Sequence, residues 1–306
     1  MSFEIIGFDE GNALLDWNAL CTALIKAHRL PKAEIADTLL YRGSDTLLSR
    51  AAWIDGMGLA VKAATIFPDN PAQDLPVVNG AVNLFSDTSG QLEALIDFHL
   101  VTKWKTAGDS LLAAKQLARP DSRNILIIGA GTVGHSLRQA YGAGFPDAGF
   151  TVWNRSPEAA IAMADKFPDT TATTDLEAAV RGADIITSAT MSTNPLIRGE
   201  WLQAGQHIDL IGAYRPDMRE ADDLALQRAR IFVDSFDTTI DHIGELKIPL
   251  ASGAIRRDSV IADYYNLASG TFKRNDNTEI TLFKNGGGAH LDLMVSRYIL
   301  DAWRAQ

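Results

Sequence analysis

Apolar positions fall into two rhythms along this chain. In the first third, "LLDWNALCTALIKAH" repeats them at helical spacing. "LLSRAAWI", "LAVKAATIF" and "AVNLFSD" are instead short runs bounded by Gly, Pro and Asn, the pattern of strands. A long helical stretch from about Leu100 to Ala118 stops at "ARPDSR", where Pro120 cannot continue it. After that point short apolar runs alternate with helices. "NILIIG" and "FTVWN" read as strands, followed by the helices "TVGHSLRQAYGAG" and "SPEAAIAMADKF". The second of these helices has Ser156 as N-cap and Pro157 at its first position. "DLEAAV" is a short helix, and "ADIITSAT", "HIDLIGA" and "ARIFVDS" are strands. Such alternation predicts a parallel sheet joined by right-handed crossovers. The tail "EITLFKNGGGAHLDLMVSRYILDAW" ends in an amphipathic helix, which is expected to return to the first domain. There is no internal repeat and no low-complexity tract.

The expected fold class is therefore α/β. A Rossmann-type parallel-sheet domain is placed over residues 120–284. A mixed α+β domain is placed over residues 1–119 and rejoined by 285–306. A chain of 306 residues is long enough for two such cores.

Composition narrows the chemistry. A net charge of −10 disfavours bulk attraction to nucleic acid or to an anionic membrane, though it leaves room for a local basic pocket. One cysteine, Cys21, cannot make an internal disulfide framework or a CxxC metal site, and reads as a small buried hydrophobe. No apolar run reaches 18 residues and the N-terminal stretch lacks the features of a signal peptide, so a cytoplasmic location is expected. The histidines His28, His99, His135, His207, His242 and His290 show no metal-ligand spacing, and no GxSxG elbow is present. No metal site is expected.

Gly129-Ala130-Gly131-Thr132-Val133-Gly134 is a GxGxxG that directly follows the strand Ile125–Ile128 and opens a helix. That context makes it a dinucleotide loop, because the glycines bring backbone N–H groups and a helix N-terminus up to a pyrophosphate. The second strand ends at Trp153, where nicotinamide enzymes that use NAD carry a carboxylate for the ribose hydroxyls. Here the residues are Asn154, Arg155 and Ser156. A guanidinium and a hydroxyl suit a 2′-phosphate, so the expected cofactor is NADP(H), with NAD(H) as the alternative.

From Lys62 onward "VKAATIFPDNPAQDLPVVNGAVNLFSDTSGQLEALID" resembles the ornithine cyclodeaminase/μ-crystallin family. The likeness continues through "TKWKTAGDSLLAAKQLAR", the glycine loop, "SATMSTNPLI", "GAYRPDMREAD", "VDS" and "EITLFKNGGGAHLDL". "VWNRS" and "GAYRPDMREADD" look closest to the μ-crystallin side, whose members are NADPH-dependent ketimine reductases. The resemblance implies a homodimer, with the first domain binding substrate and dimerising. It implies that basic residues hold the α-carboxylate of an α-imino or α-amino acid. Lys62 matches the family's central lysine. Lys105 stands where an Arg is usual, and Arg42 matches an N-terminal arginine for which Arg50 competes. Lys62 is the candidate proton donor. Asp109, one helical turn beyond Lys105, is a candidate partner for it. Thr106, Thr190, Met191, Tyr214 and Asn285 join the cofactor set, Gly286-Gly287-Gly288 is a close-approach segment, and Asp292 matches a family aspartate near the site.

One departure concerns the reaction. Cyclodeaminases carry an Asp in the segment here written Gly212-Ala213-Tyr214-Arg215-Pro216, and this chain has Tyr214. A phenol, with a reference pKa of about 10, is a poor general base at neutral pH. The expected activity is NAD(P)H-dependent reduction of a C=N bond, or the reverse oxidation. An ornithine cyclodeaminase-type lyase and a non-catalytic, crystallin-like nucleotide binder are the alternatives.

Overall fold

The computed structural model describes residues 3–306, which divide into two compact units, residues 3–105 with 287–306, and residues 106–286.

The first unit is a six-stranded mixed sheet with helices. Its elements are β1 (Glu4–Ile6), α1 (Phe8–Asn12), α2 (Trp17–Ala27), β2 (Glu34–Arg42), β3 (Asp45–Ile54), β4 (Gly58–Ile66), β5 (Val78–Phe85) and β6 (Leu92–Asp97), with the first turns of α3 (Phe98–Leu117). Strand order is β1-β6-β5-β4-β3-β2; β2 to β6 form an antiparallel meander and β1 joins β6 in parallel. The Asp16 carboxylate accepts from Ala19 N and starts α2. Side chains alternate across a strand, so Ala60, Lys62 and Ala64 of β4 share the buried face. Arg50 of β3 has the parity of the buried Ala52 and Ile54, and pairs across the ladder with Lys62. The C-terminal helix of the chain (Ala289–Arg304, α10 below) packs on β2–β5 and α2.

The second unit is an eight-stranded sheet in which every neighbouring pair is parallel, in the order β13-β12-β14-β11-β10-β7-β8-β9. Its strands are β7 (Asn124–Ile128), β8 (Gly149–Trp153), β9 (Thr170–Thr173), β10 (Ile185–Ser188), β11 (His207–Leu210), β12 (Arg230–Val233), β13 (Val260–Ala262) and β14 (Thr281–Lys284). The crossovers carry α4 (Thr132–Gly144), α5 (Pro157–Ala164), α6 (Leu176–Gly182), α7 (Asp223–Arg228), α8 (Phe236–Thr239) and α9 (Gly244–Ser252), and α10 completes the helices. Leu126, Ile128, Ile186, Ile208, Leu210, Ile231 and Leu282 form its core, the apolar content of strands covered on both faces. Strand order reverses between β7 and β10, which places the ligand crevice at the carboxyl ends of those two strands.

The units divide at Lys105 and Thr106, whereas the sequence places the break at 119/120. The reason is local: α3 runs unbroken through the division and past Gly108, and Pro120 is the residue that stops it.

Candidate active site

In the first unit the buried face of the sheet, α3 and α10 bring cations around one carboxylate. Lys62 Nζ donates to Asp292 Oδ1 (3.0 Å) and to Thr102 Oγ1 (3.0 Å), and lies 4.4 Å from the centre of the Phe98 ring. Lys105 Nζ reaches the same Asp292 Oδ1 at 3.0 Å and donates to the Gly287 carbonyl at 3.1 Å. Arg50 Nη1 donates to that carbonyl as well (2.9 Å), while its Nε and Nη2 grip the Asp37 carboxylate.

Burial alone would push the Asp292 carboxyl up, but the charges of Lys105, Lys62 and Arg50 hold it down at about 2. Burial is the main force lowering Lys105. Lys62 and Arg50 add to it and Asp292 opposes it, leaving the ammonium at about 8. His28 and His290 meet edge to face at 5.8 Å. Burial drops His28 to about 4 and, with the charges of His28 and Lys105, holds His290 well below the usual imidazole range. Both rings are therefore neutral at pH 7. Two ammoniums face one carboxylate, and Arg50 and Asp37 balance each other. The cluster thus carries one positive charge more than it neutralises, which suits one incoming carboxylate.

Arg42 is not part of this cluster. It pairs with Asp45 at 2.8 Å beside the β2–β3 turn, with its side chain 80% exposed. The turn at Gly43, with φ of +58°, fixes the hairpin register; that register puts Arg42 opposite Asp45 and Arg50 opposite Lys62. The arginine of the cluster is Arg50. The ion-pair partner of Lys105 is Asp292, which the family resemblance places near the site. Asp109 lies buried in the second unit, its main-chain carbonyl accepting from Tyr264 Oη at 2.6 Å. Burial and then the Asp109 charge keep that phenol protonated.

The second unit holds the glycine loop. Gly129 has φ of +109°, and an added Cβ there would come 2.8 Å from Ala189 O. A Cβ on Gly134 would lie 2.0 Å from Gly129 O, so this glycine lets α4 close onto the loop. Gly131 caps α4 and has nothing within 4 Å of the position a Cβ would take. That open backbone beside the α4 N-terminus, with Thr132 and Val133 in its first turn, fits a pyrophosphate. Asn154 Oδ1 accepts from Ala130 N at 3.1 Å and its amide donates to Ser156 O, so its side chain braces the loop. Arg155 and Ser156 are exposed at the end of β8. Ser156 sits at the N-cap position of α5 with Pro157 behind it. Across the switch point Thr190 and Met191 follow β10, and Tyr214, 59% exposed, follows β11. Asn285 is buried and donates to Thr106 O and Ser110 Oγ at 3.2 Å, tying the end of β14 to α3.

The family model described as "Ornithine cyclodeaminase/mu-crystallin family" matches residues 52–306. The chain belongs to the ornithine cyclodeaminase/mu-crystallin family. Within it, the chain is 48% identical over 302 residues to a Delta(1)-pyrroline-2-carboxylate reductase of Paracoccus denitrificans, covering 97% of this chain and 96% of that protein. It is 32% identical to the ketimine reductase mu-crystallin of Mus musculus, covering 80% of this chain and 76% of that one. An archaeal alanine dehydrogenase dimer with bound NAD superposes with a TM-score of 0.90 at 27% identity, over 100% of this chain and 97% of that one. No helix among the described residues is long and apolar enough to cross a membrane.

Proposed function

We propose that this family member reduces the C=N bond of a small cyclic α-imino acid with a nicotinamide cofactor, Delta(1)-pyrroline-2-carboxylate being the first candidate. The surplus positive charge shared by Lys62, Lys105 and Asp292 carries this reading, since it offers a buried seat for one carboxylate and no more. The relatives support the substrate class. Lys62, Lys105 and Arg50 bind the carboxylate and fix the neighbouring C=N in place, which supplies orientation that free solution lacks. Glycines 129, 131 and 134, Thr132, Val133 and residues 154–156 would hold the dinucleotide, which supplies hydride for the imine carbon. Lys62 gives the proton to the imine nitrogen, and Asp292 and Thr102 aim its Nζ. One hydride and one proton convert the cyclic imine to the cyclic amino acid, here proline.

With NADPH and pyrroline-2-carboxylate, proline is expected in one-to-one ratio with NADPH consumed. L-ornithine with either oxidised cofactor is expected to give neither proline nor ammonia, because Tyr214 stands at the cyclodeaminase aspartate's place and lacks the carboxylate that would take the proton. Stoichiometric ammonia and proline from ornithine would replace this reading with the lyase.

The exposed Arg155 and Ser156 support a preference for NADPH. We expect NADPH to bind at least tenfold tighter than NADH, about 1.4 kcal/mol. Arg155→Ala should remove most of that gap, and equal affinities in the unmodified protein would overturn the assignment. A homodimer belongs to the same proposal. It is supported by the dimeric archaeal relative and by exposed apolar residues on β2, where Tyr41 is 71% accessible.

A further inference from the structure

The adenosine half of a dinucleotide lies toward the end of β8, at residues 154–156, and the pyrophosphate lies at the glycine loop after β7. The remaining half must therefore extend over the ends of β10 and β11, on the other side of the switch point. Those two strands end in turns, Ala189-Thr190-Met191 and Gly212-Ala213-Tyr214. Neither turn has a helix or strand of its own to hold its backbone.

We propose that Glu220 is the positioning residue of the nicotinamide half-site, its single buried carboxylate joining the two turns that form the half-site's floor. Glu220 is fully buried. Its Oε1 accepts from Ser188 Oγ (2.6 Å), Thr190 N (2.7 Å) and Thr190 Oγ1 (2.8 Å), which belong to the end of β10. Its Oε2 accepts from Gly212 N (2.6 Å) and Ala213 N (3.3 Å), which follow β11. Five donors converge on one group that only accepts, and both oxygens are used, one for each turn. The turns are also packed backbone on backbone. A Cβ on Gly212 would lie 1.9 Å from Thr190 O and 2.2 Å from Thr190 N, so a shift of one turn displaces the other.

The carboxylate is itself held from behind. Glu220 N and Ala221 N donate to the two oxygens of Glu245 at 2.7 and 3.0 Å, and the Glu220 carbonyl accepts from Leu196 N and Ile197 N. Lys284, also fully buried, donates to Leu210 O at 2.9 Å and to Asn285 O at 2.6 Å; burial pushes the Glu220 carboxyl up, and the Lys284 charge and the donors on its oxygens oppose that shift. Glu220 thus sits on a fixed scaffold while its side chain faces two otherwise irregular turns. This is how a site on loops gains the precision of one on strands.

The inference rests on the dinucleotide reading of this crevice. It is tested by calorimetric binding to the full-length protein, with NADPH as one ligand and adenosine 2′,5′-bisphosphate, which fills only the adenosine half, as the other. In Glu220→Gln an amide N–H₂ faces the donors of one turn. NADPH is then expected to bind at least about tenfold more weakly and the bisphosphate to stay within about twofold. At saturating NADPH, kcat should fall while the KM of the imino acid stays near its usual value. Thr190→Val, which removes one donor and spares the carboxylate, should shift NADPH affinity in the same direction by about threefold, and carries the test if the glutamine variant does not fold. Unchanged NADPH affinity, or equal losses for both ligands, would overturn the positioning role. Failure of the unmodified protein to bind NADPH would instead remove the cofactor reading. Binding without imine reduction would leave Glu220's role intact and remove only the substrate.

Discussion

Lys62→Met is expected to lower kcat/KM for the imino acid by at least about a hundredfold, the low end for a positioned acid–base group. The substitution keeps the length of the side chain on the buried face of β4 and deletes the ammonium. It removes the donor to Asp292 and Thr102, and with it the surplus charge: Lys105 and Asp292 then neutralise one another. Both the seat for the carboxylate and the proton for nitrogen are lost, so kcat should fall and KM rise. NADPH affinity should move by less than about twofold, since the glycine loop belongs to the other compact unit. Steady-state kinetics with pyrroline-2-carboxylate decides the matter, and near-normal turnover would hand the proton to Lys105 or to water.

Asp292→Asn is expected to damage the fold more than any other change in the cluster. Two buried ammoniums share one oxygen of this carboxylate, and a neutral amide leaves them facing each other. Breaking a buried pair in this way costs about 3–5 kcal/mol, measurable by denaturant unfolding at pH 7. The pH dependence has a defined sign. In the unmodified protein Asp292 sits at about 2, below its ordinary 3.8, so its contribution is present above 3.8 and is lost as pH falls toward 2. Lys105 sits at about 8, below its ordinary 10.5, so keeping it charged costs stability at lower pH, and the cost disappears as pH rises through that window. The asparagine variant should therefore recover part of its loss by about pH 10. A loss independent of pH would mean that packing, and not charge, holds this cluster.

What the sequence discloses here follows from how local each signal is. The glycine loop, the strands around it and the turn of α5 at Pro157 are encoded within a dozen residues, and the parallel sheet follows from their alternation. β2 and β6 carry no clear strand signal, for two separate reasons. The nine residues of β2 are all exposed and lack alternation, while β6 runs into α3 with no turn residue between them. Lys62, Lys105 and Arg50 were legible as cations, but the choice between Arg42 and Arg50 is a matter of hairpin register, which one turn glycine sets and no periodicity reports. Asp292 lies 230 residues from Lys62, and only the packing of α10 on β4 joins them. Glu220 was hidden inside "RPDMREADD", where a buried acceptor looks the same as a surface acid.

The place of β14 in its sheet has a consequence for how the chain is made. This strand lies between β11 and β12, though β12 and β13 precede it in the chain. Until Thr281–Lys284 has left the ribosome, β12 and β13 have no neighbour through which to join the five earlier strands. Lys284, the counter-charge under the Glu220 turns, arrives with that same strand. The first unit waits longer still, because α10, which covers its sheet and delivers Asp292 to the lysines, is made after β14. Both sheets therefore stay incomplete or uncovered until the last stretch of the chain is made. Long-range pairing of this kind is slow and open to misassembly, so chaperone demand during synthesis is a property written into this strand order.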